Sequence, residues 1–124
     1  MVLIIGGAWQ GKLETAKREF GLRDEDVFTC SGAEIDFAKP CIRHLEDFTL
    51  ACAERGLDSV DYFKRHEAEW SDSVLICRDI FCGVVPVDPV MRLWRNETGC
   101  LCQYLASRAE RVSRVFCGLE QRLK

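Results

Sequence analysis

The stretch Met1-Val2-Leu3-Ile4-Ile5-Gly6-Gly7-Ala8-Trp9-Gln10-Gly11-Lys12 decides how the rest of the chain is read. Val2 to Ile5 is a short run rich in β-branched residues, suited to a strand buried on both faces. Gly6, Gly11 and Lys12 then fit the spacing G-x-x-x-x-G-K. In that pattern glycines let successive backbone N–H groups turn inward around phosphate oxygens, and the lysine reaches the outer phosphates. Leu13, Ala16 and Phe20 recur at helical spacing until Gly21 can cap the helix. Strand, glycine loop and helix therefore occur in the order a phosphate site needs, with the positive end of the helix facing the anion. The plainer alternative is an ordinary βα turn that contains glycines and a lysine. Gly6, Gly7, Ala8, Trp9, Gln10, Gly11, Lys12 and Leu13 are the expected nucleotide-binding residues, with ATP or GTP as the ligand. The motif normally closes with Ser or Thr, whose hydroxyl ligands Mg²⁺; Leu13 has none, so binding and catalysis are separate questions.

Working outward, Val27 to Cys30 reads as a second short strand. Glu34 and Asp36 follow it on the edge where a parallel sheet holds ligands, so they are candidates for a metal ion or a substrate hydroxyl, or form an acidic surface loop. From Cys41 to Arg55 apolar residues keep to one helical face, with Pro40 in the first turn and Gly56 past the end. This helix carries His44, a candidate nucleophile or base, although Arg43 and Glu46 beside it suggest exposure. A further helix is expected from Asp58 or Ser59 to Trp70. Ser73 to Cys77 is the clearest later strand, and Asp79 beyond its tip is where a carboxylate could order Mg²⁺ through water. Lys12, Asp79 and His44 are thus the candidate catalytic residues, and Asp79 the candidate metal residue. Asp88-Pro89 opens the longest helix, whose face is read as Val90, Trp94, Leu101, Leu105 and Val112. Val112 to Leu119 reads as a last strand bent at Gly118.

Alternating strands and helices predict an α/β fold, a three-layer P-loop NTPase-like domain with a mostly parallel sheet, as a single domain over residues 1–124. The net charge of −3 is uneven: residues 1–90 carry 10 Lys/Arg against 17 Asp/Glu, and residues 91–124 carry 7 against 3. No basic and aromatic interleaving points to nucleic acid. The opening apolar run is too short for a signal peptide, and no stretch approaches a membrane span, so a cytoplasmic protein is expected. The eight cysteines contain no C-x-x-C pair. Cys52, Cys77 and Cys117 lie in apolar patterns, where a reduced thiol behaves as a small hydrophobe.

The segment Arg78-Asp-Ile-Phe-Cys-Gly-Val-Val-Pro86, then Arg92-Leu-Trp-Arg95, Gly99, Gln103, Ala106, Ala109 and Cys117-Gly-Leu-Glu-Gln-Arg-Leu-Lys124, resembles the C-terminal half of the adenosylcobinamide kinase/adenosylcobinamide-phosphate guanylyltransferase family. With Gly6 to Lys12 in front, the resemblance covers residues 1–20 and 74–124. It implies a kinase and nucleotidyltransferase of cobalamin biosynthesis that phosphorylates the aminopropanol hydroxyl of adenosylcobinamide, then attaches GMP through a covalent histidine intermediate. The expected partners are a nucleotide and a cobinamide-type substrate, with a homo-oligomer as a further expectation. Departures from the pattern are Leu13 for Ser, Arg78-Asp79 for Asn-Glu, Phe81 for Gly and Cys102 for Asn. Much of the middle region that carries the guanylylated histidine is missing, so no covalent GMP is expected on His44. The alternatives are a catalytically weak nucleotide-binding paralogue with a regulatory or scaffold role, and a small kinase for another hydroxyl substrate.

Overall fold

The computed structural model describes residues 1–124. Strand β1 (Val2–Gly6) lies at the centre, flanked by β4 (Val74–Arg78) and β5 (Arg111–Phe116), both parallel to it. Outward from β4 come β3 (Cys41–Arg43) and β2 (Val27–Thr29), also parallel. Beyond β5, β6 (Leu119–Arg122) runs antiparallel. The six-stranded order is β2-β3-β4-β1-β5-β6.

Strand alternation divides the interior into two cores. Leu3, Leu75, Cys77 and Val112 point to one face, covered by α2 (Leu45–Arg55), α3 (Ser59–Arg65), α4 (Glu67–Trp70) and α5 (Pro89–Arg108). Ile4, Val74, Ile76 and Val115 point to the other, where α1 (Lys12–Phe20) inserts Ala16. Side chains on successive strand residues face opposite ways, so a central strand with cover on both sides must be apolar throughout, which is how Val2 to Ile5 reads. The expected three-layer α/β arrangement with a mostly parallel sheet is what the chain adopts.

Several element boundaries differ from the sequence reading. Cys41 to Arg43 is strand β3, not the first turn of a helix, and α2 begins only at Leu45. Cys41 and Ile42 are both fully buried, one in each core, so the open slot between β2 and β4 overrides the helical spacing. The helix expected to run to Trp70 breaks at His66 (φ −107°, ψ 16°), where the Phe63 carbonyl accepts the indole N–H of Trp70 at 2.8 Å. Val112 belongs to β5, since α5 ends at Arg108. The last strand is two strands, because Cys117 (φ 51°) and Gly118 (φ 73°) form a tight hairpin turn between β5 and β6. Consecutive left-handed residues match the twist of an antiparallel pair. Cys117 is therefore exposed rather than core.

Residues 30–40 join β2 to β3 without a helix. Cys30, Ala33, Ile35 and Phe37 are nevertheless buried, and the Ile35 N–H donates to Tyr62 Oη at 3.2 Å, so the segment is packed onto α3. Glu34 and Asp36 face solvent, with Asp36 capping the Ala38 N–H. No helix is long and apolar enough to cross a membrane.

Candidate functional site: the cavity over the glycine loop

The carboxyl ends of β1, β3 and β4 open on one edge of the sheet, and the loop Gly6–Gly11 covers that edge before α1 begins. Gly6 is required by close approach: a Cβ there would lie 2.4 Å from the Val115 carbonyl oxygen. Gly11 (φ 90°) is the residue before α1 and makes no side-chain cap, so the first N–H groups of the helix are left for a ligand. Trp9 adopts a left-handed conformation (φ 60°) and is fully exposed.

The β5–β6 turn braces this loop. Gln10 Oε1 accepts the Cys117 N–H at 2.6 Å, and the Gln10 carbonyl accepts the Gly118 N–H at 2.9 Å. Lys12 Nζ donates to the Gly7 carbonyl at 2.6 Å. Burial is the main cause that lowers the Lys12 pKa below the usual lysine value, and the nearby Arg78 guanidinium acts in the same direction against the raising effect of Glu46.

Above the loop is a cavity of about 290 Å³. Ala8 to Leu13 form one wall, and Arg43, His44, Glu46 and Arg78 form the other. Of the residues singled out in the sequence, the cavity thus brings together Ala8, Trp9, Gln10, Gly11, Lys12, Leu13 and His44. Gly6 and Gly7 are not among its lining residues. Asp79 follows β4 with its N–H on the Gly6 carbonyl at 2.9 Å, but its carboxylate accepts the Phe81 N–H at 3.0 Å and is not among the lining groups.

His44 stands at the junction of β3 and α2 in a left-handed conformation (φ 60°), not within a helix. Its Nδ1 lies 2.9 Å from Glu46 Oε1 and 3.6 Å from Asp47 Oδ2. Glu46 was read as a sign of exposure, yet only 1% of its side chain is accessible. Its carboxylate is held between His44 and the Arg78 backbone N–H, 2.9 Å from Oε2, while its backbone carbonyl accepts the Trp94 indole N–H at 2.7 Å. A buried carboxylate is tolerated when its lone pairs are occupied in this way. Glu46, Arg43 and Arg78 are the site residues the sequence reading missed. Arg43 and Arg78 each end a strand on the loop's edge, and a helix expected from Cys41 hides the first of these strand ends.

Mg²⁺ is the ion such loops ordinarily use, and the residues present do not fit its direct ligation. Leu13 supplies no oxygen, and Asp79 is turned to its own loop. His44, Glu46 and Asp47 are the one group whose ligand atoms lie within 4.8 Å of one another. They include an imidazole nitrogen, which suits zinc or copper better than Mg²⁺.

No curated protein matches this chain. A family match does exist, over residues 48–123, to the family described as cobinamide kinase / cobinamide phosphate guanyltransferase. It runs from α2 to β6, taking in residues 48–73 that the sequence reading matched poorly, and it stops short of the glycine loop. The loop and the match are therefore independent observations, one from geometry and one from the remainder of the chain. The family match spans more than half of the residues, and with it this chain belongs to the cobinamide kinase / cobinamide phosphate guanyltransferase family.

Proposed function

We propose that the protein binds ATP or GTP with its phosphates on Gly6 to Lys12 and transfers a phosphoryl group to a hydroxyl of a cobinamide-type substrate. The observation that carries this reading is the uncapped N-terminus of α1 opening on a cavity lined by Lys12. Lys12 would exchange the Gly7 carbonyl for a phosphate oxygen, and a partly desolvated ammonium interacts more strongly with an anion than a solvated one. Any Mg²⁺ would be held by phosphate oxygens and water alone, since the Asp79 carboxylate accepts the Phe81 N–H and does not line the cavity. Eight reduced cysteines suit a cytoplasmic location for the single domain. The test is incubation with ATP or GTP and adenosylcobinamide, followed by mass analysis of the corrinoid. A product heavier by one phosphoryl group is expected, and unchanged corrinoid under binding conditions would favour the weak nucleotide-binding paralogue.

A second reading, guanylyl transfer, is favoured by His44. A proton on Nδ1 donated to Glu46 leaves Nε2 with its lone pair, the state a nucleophilic imidazole needs. Delivery of a histidine by the family's middle region is not expected in this chain, whereas His44, directly after β3, itself lines the cavity. Acid-labile label from GTP marked at the α-phosphate, lost in His44→Ala, is what this reading expects. Absence of label on the folded protein retires it.

A further inference from the structure

Three cationic side chains line the cavity, and they come from three different elements: Lys12 opens α1, Arg43 ends β3 and Arg78 ends β4. Arg43 is anchored by its Nε, which donates to Thr29 Oγ1 at 2.8 Å. Arg78 is anchored by its backbone N–H on Glu46 and by its Nε, 3.7 Å from Glu46 Oε1. Neither guanidinium spends its two terminal nitrogens on any protein hydrogen bond. Arg95 differs, giving Nε, Nη1 and Nη2 to the carbonyls of Ile80, Val84 and Cys82, and Arg111 pairs with Glu19 and Glu120. Arg95 and Arg111 thus use all three guanidinium nitrogens, while the two arginines in the cavity keep their forked ends available.

Opposing charge in the cavity comes from Glu46 and Glu14. The Glu46 carboxylate is buried and hydrogen-bonded, and the Arg78 guanidinium beside it offsets its charge while being oriented by it. Glu14 is exposed in the first turn of α1. Arg78 is ion-paired with Glu46, and Lys12 and Arg43 add two cations to the same partly buried wall, which favours an anion joining them. A guanidinium presents paired N–H donors that match phosphate oxygens.

We infer that Arg43 and Arg78 take the charge-neutralising place of the divalent cation, so that this cavity binds a nucleoside triphosphate without metal. Lysine plus two guanidiniums carries three formal positive charges, two net once the Glu46 carboxylate beside Arg78 is counted, and so supplies most of the charge that lysine plus one divalent ion supplies in a metal-dependent loop. Leu13 is then no defect in binding, because no ion has to be ligated by a hydroxyl at that position. The inference rests on the phosphate-loop reading proposed above and deepens it: the ligand is the metal-free polyphosphate.

Equilibrium dialysis of the full chain against radiolabelled GTP and ATP, in EDTA and in excess Mg²⁺, tests this. Affinity in EDTA is expected to stay within about threefold of that in Mg²⁺. Arg43→Gln and Arg78→Gln should each weaken binding in EDTA by about tenfold or more, the loss of a charge-assisted hydrogen bond to phosphate. Arg43→Gln leaves the buried Glu46 with its partners, so it keeps the test decisive if Arg78→Gln fails to fold. Binding abolished by EDTA and restored by Mg²⁺ would overturn the inference and leave the phosphate loop standing. Metal-independent binding that neither arginine variant weakens would overturn it as well. No binding in either buffer would remove the inference and the phosphate loop together.

Discussion

Leu13 is the residue on which binding and catalysis part company. Its side chain sits in the first turn of α1, against the core formed by Ile4, Ala16 and Ile76, and it also reaches the cavity wall. Replacing it with serine would introduce the hydroxyl that usually ligands Mg²⁺ and would remove apolar contacts. Leu13→Ser is therefore expected to raise or create Mg²⁺-dependent phosphoryl transfer, at a stability cost of about 1–3 kcal/mol. Thermal melts beside the activity assay separate the two effects. Unchanged Mg²⁺ dependence in a folded variant would count against a loop that positions its phosphates in the usual manner.

At the scale of elements, the glycine loop does not hold its shape alone. The β5–β6 turn is hydrogen-bonded to Gln10 through both its side chain and its carbonyl, so a segment distant in sequence sets the height of the cradle. Gln10→Ala removes the side-chain bond to the Cys117 N–H and is expected to cost about 1 kcal/mol of stability. It should also weaken nucleotide binding, because the loop N–H groups would no longer be preorganised; paired denaturation and binding curves would show it. Loss of stability without loss of affinity would mean that the loop closes around phosphate without its brace. This contact was illegible in the sequence, where the last strand read as one piece bent at Gly118. A hairpin turn that requires left-handed φ at Cys117 has weak local chemistry, since only the second of its two residues is a glycine. The β1–loop–α1 unit was legible because its apolar run, glycines and lysine are all adjacent. Strand β3 was not, because three residues give no periodicity and its burial depends on the neighbouring strands. With β3 hidden, Arg43 could not be placed at the cavity and His44 was assigned to a helix interior.

For the molecule as a whole, its buried thiols link stability to pH. Burial pushes Cys30 up to about 12, and Cys41 and Cys52 up to about 11, from an ordinary value of 9.0. In the unfolded chain these thiols ionise near 9, whereas in the folded protein they remain protonated. The folded state then binds more protons, and stability falls as pH rises. Their contribution is fully present below about pH 9 and is lost progressively above it. Melting temperatures under reducing conditions should therefore decline from about pH 9 to about pH 11, between the ordinary value and the raised ones. Replacing Cys41 with alanine should flatten that decline. A melting temperature that holds steady across the interval would show that the unfolded thiols do not ionise freely. The general α/β arrangement was readable because alternating strands and helices report on layers, which do not depend on any one boundary. The charged wall of the cavity was not readable, because Arg43, Glu46 and Arg78 come from separate strands and a helix and meet only after the sheet has formed.

The central claim, that Gly6 to Lys12 is a working phosphate cradle, is tested most directly by calorimetric titration of GTP and ATP into the wild-type protein and Lys12→Ala. One saturable site is predicted in the wild type, with affinity reduced by about tenfold or more in the variant, since its ammonium no longer meets the phosphates. No heat of binding in the wild type, or equal affinity in the two proteins, would contradict it.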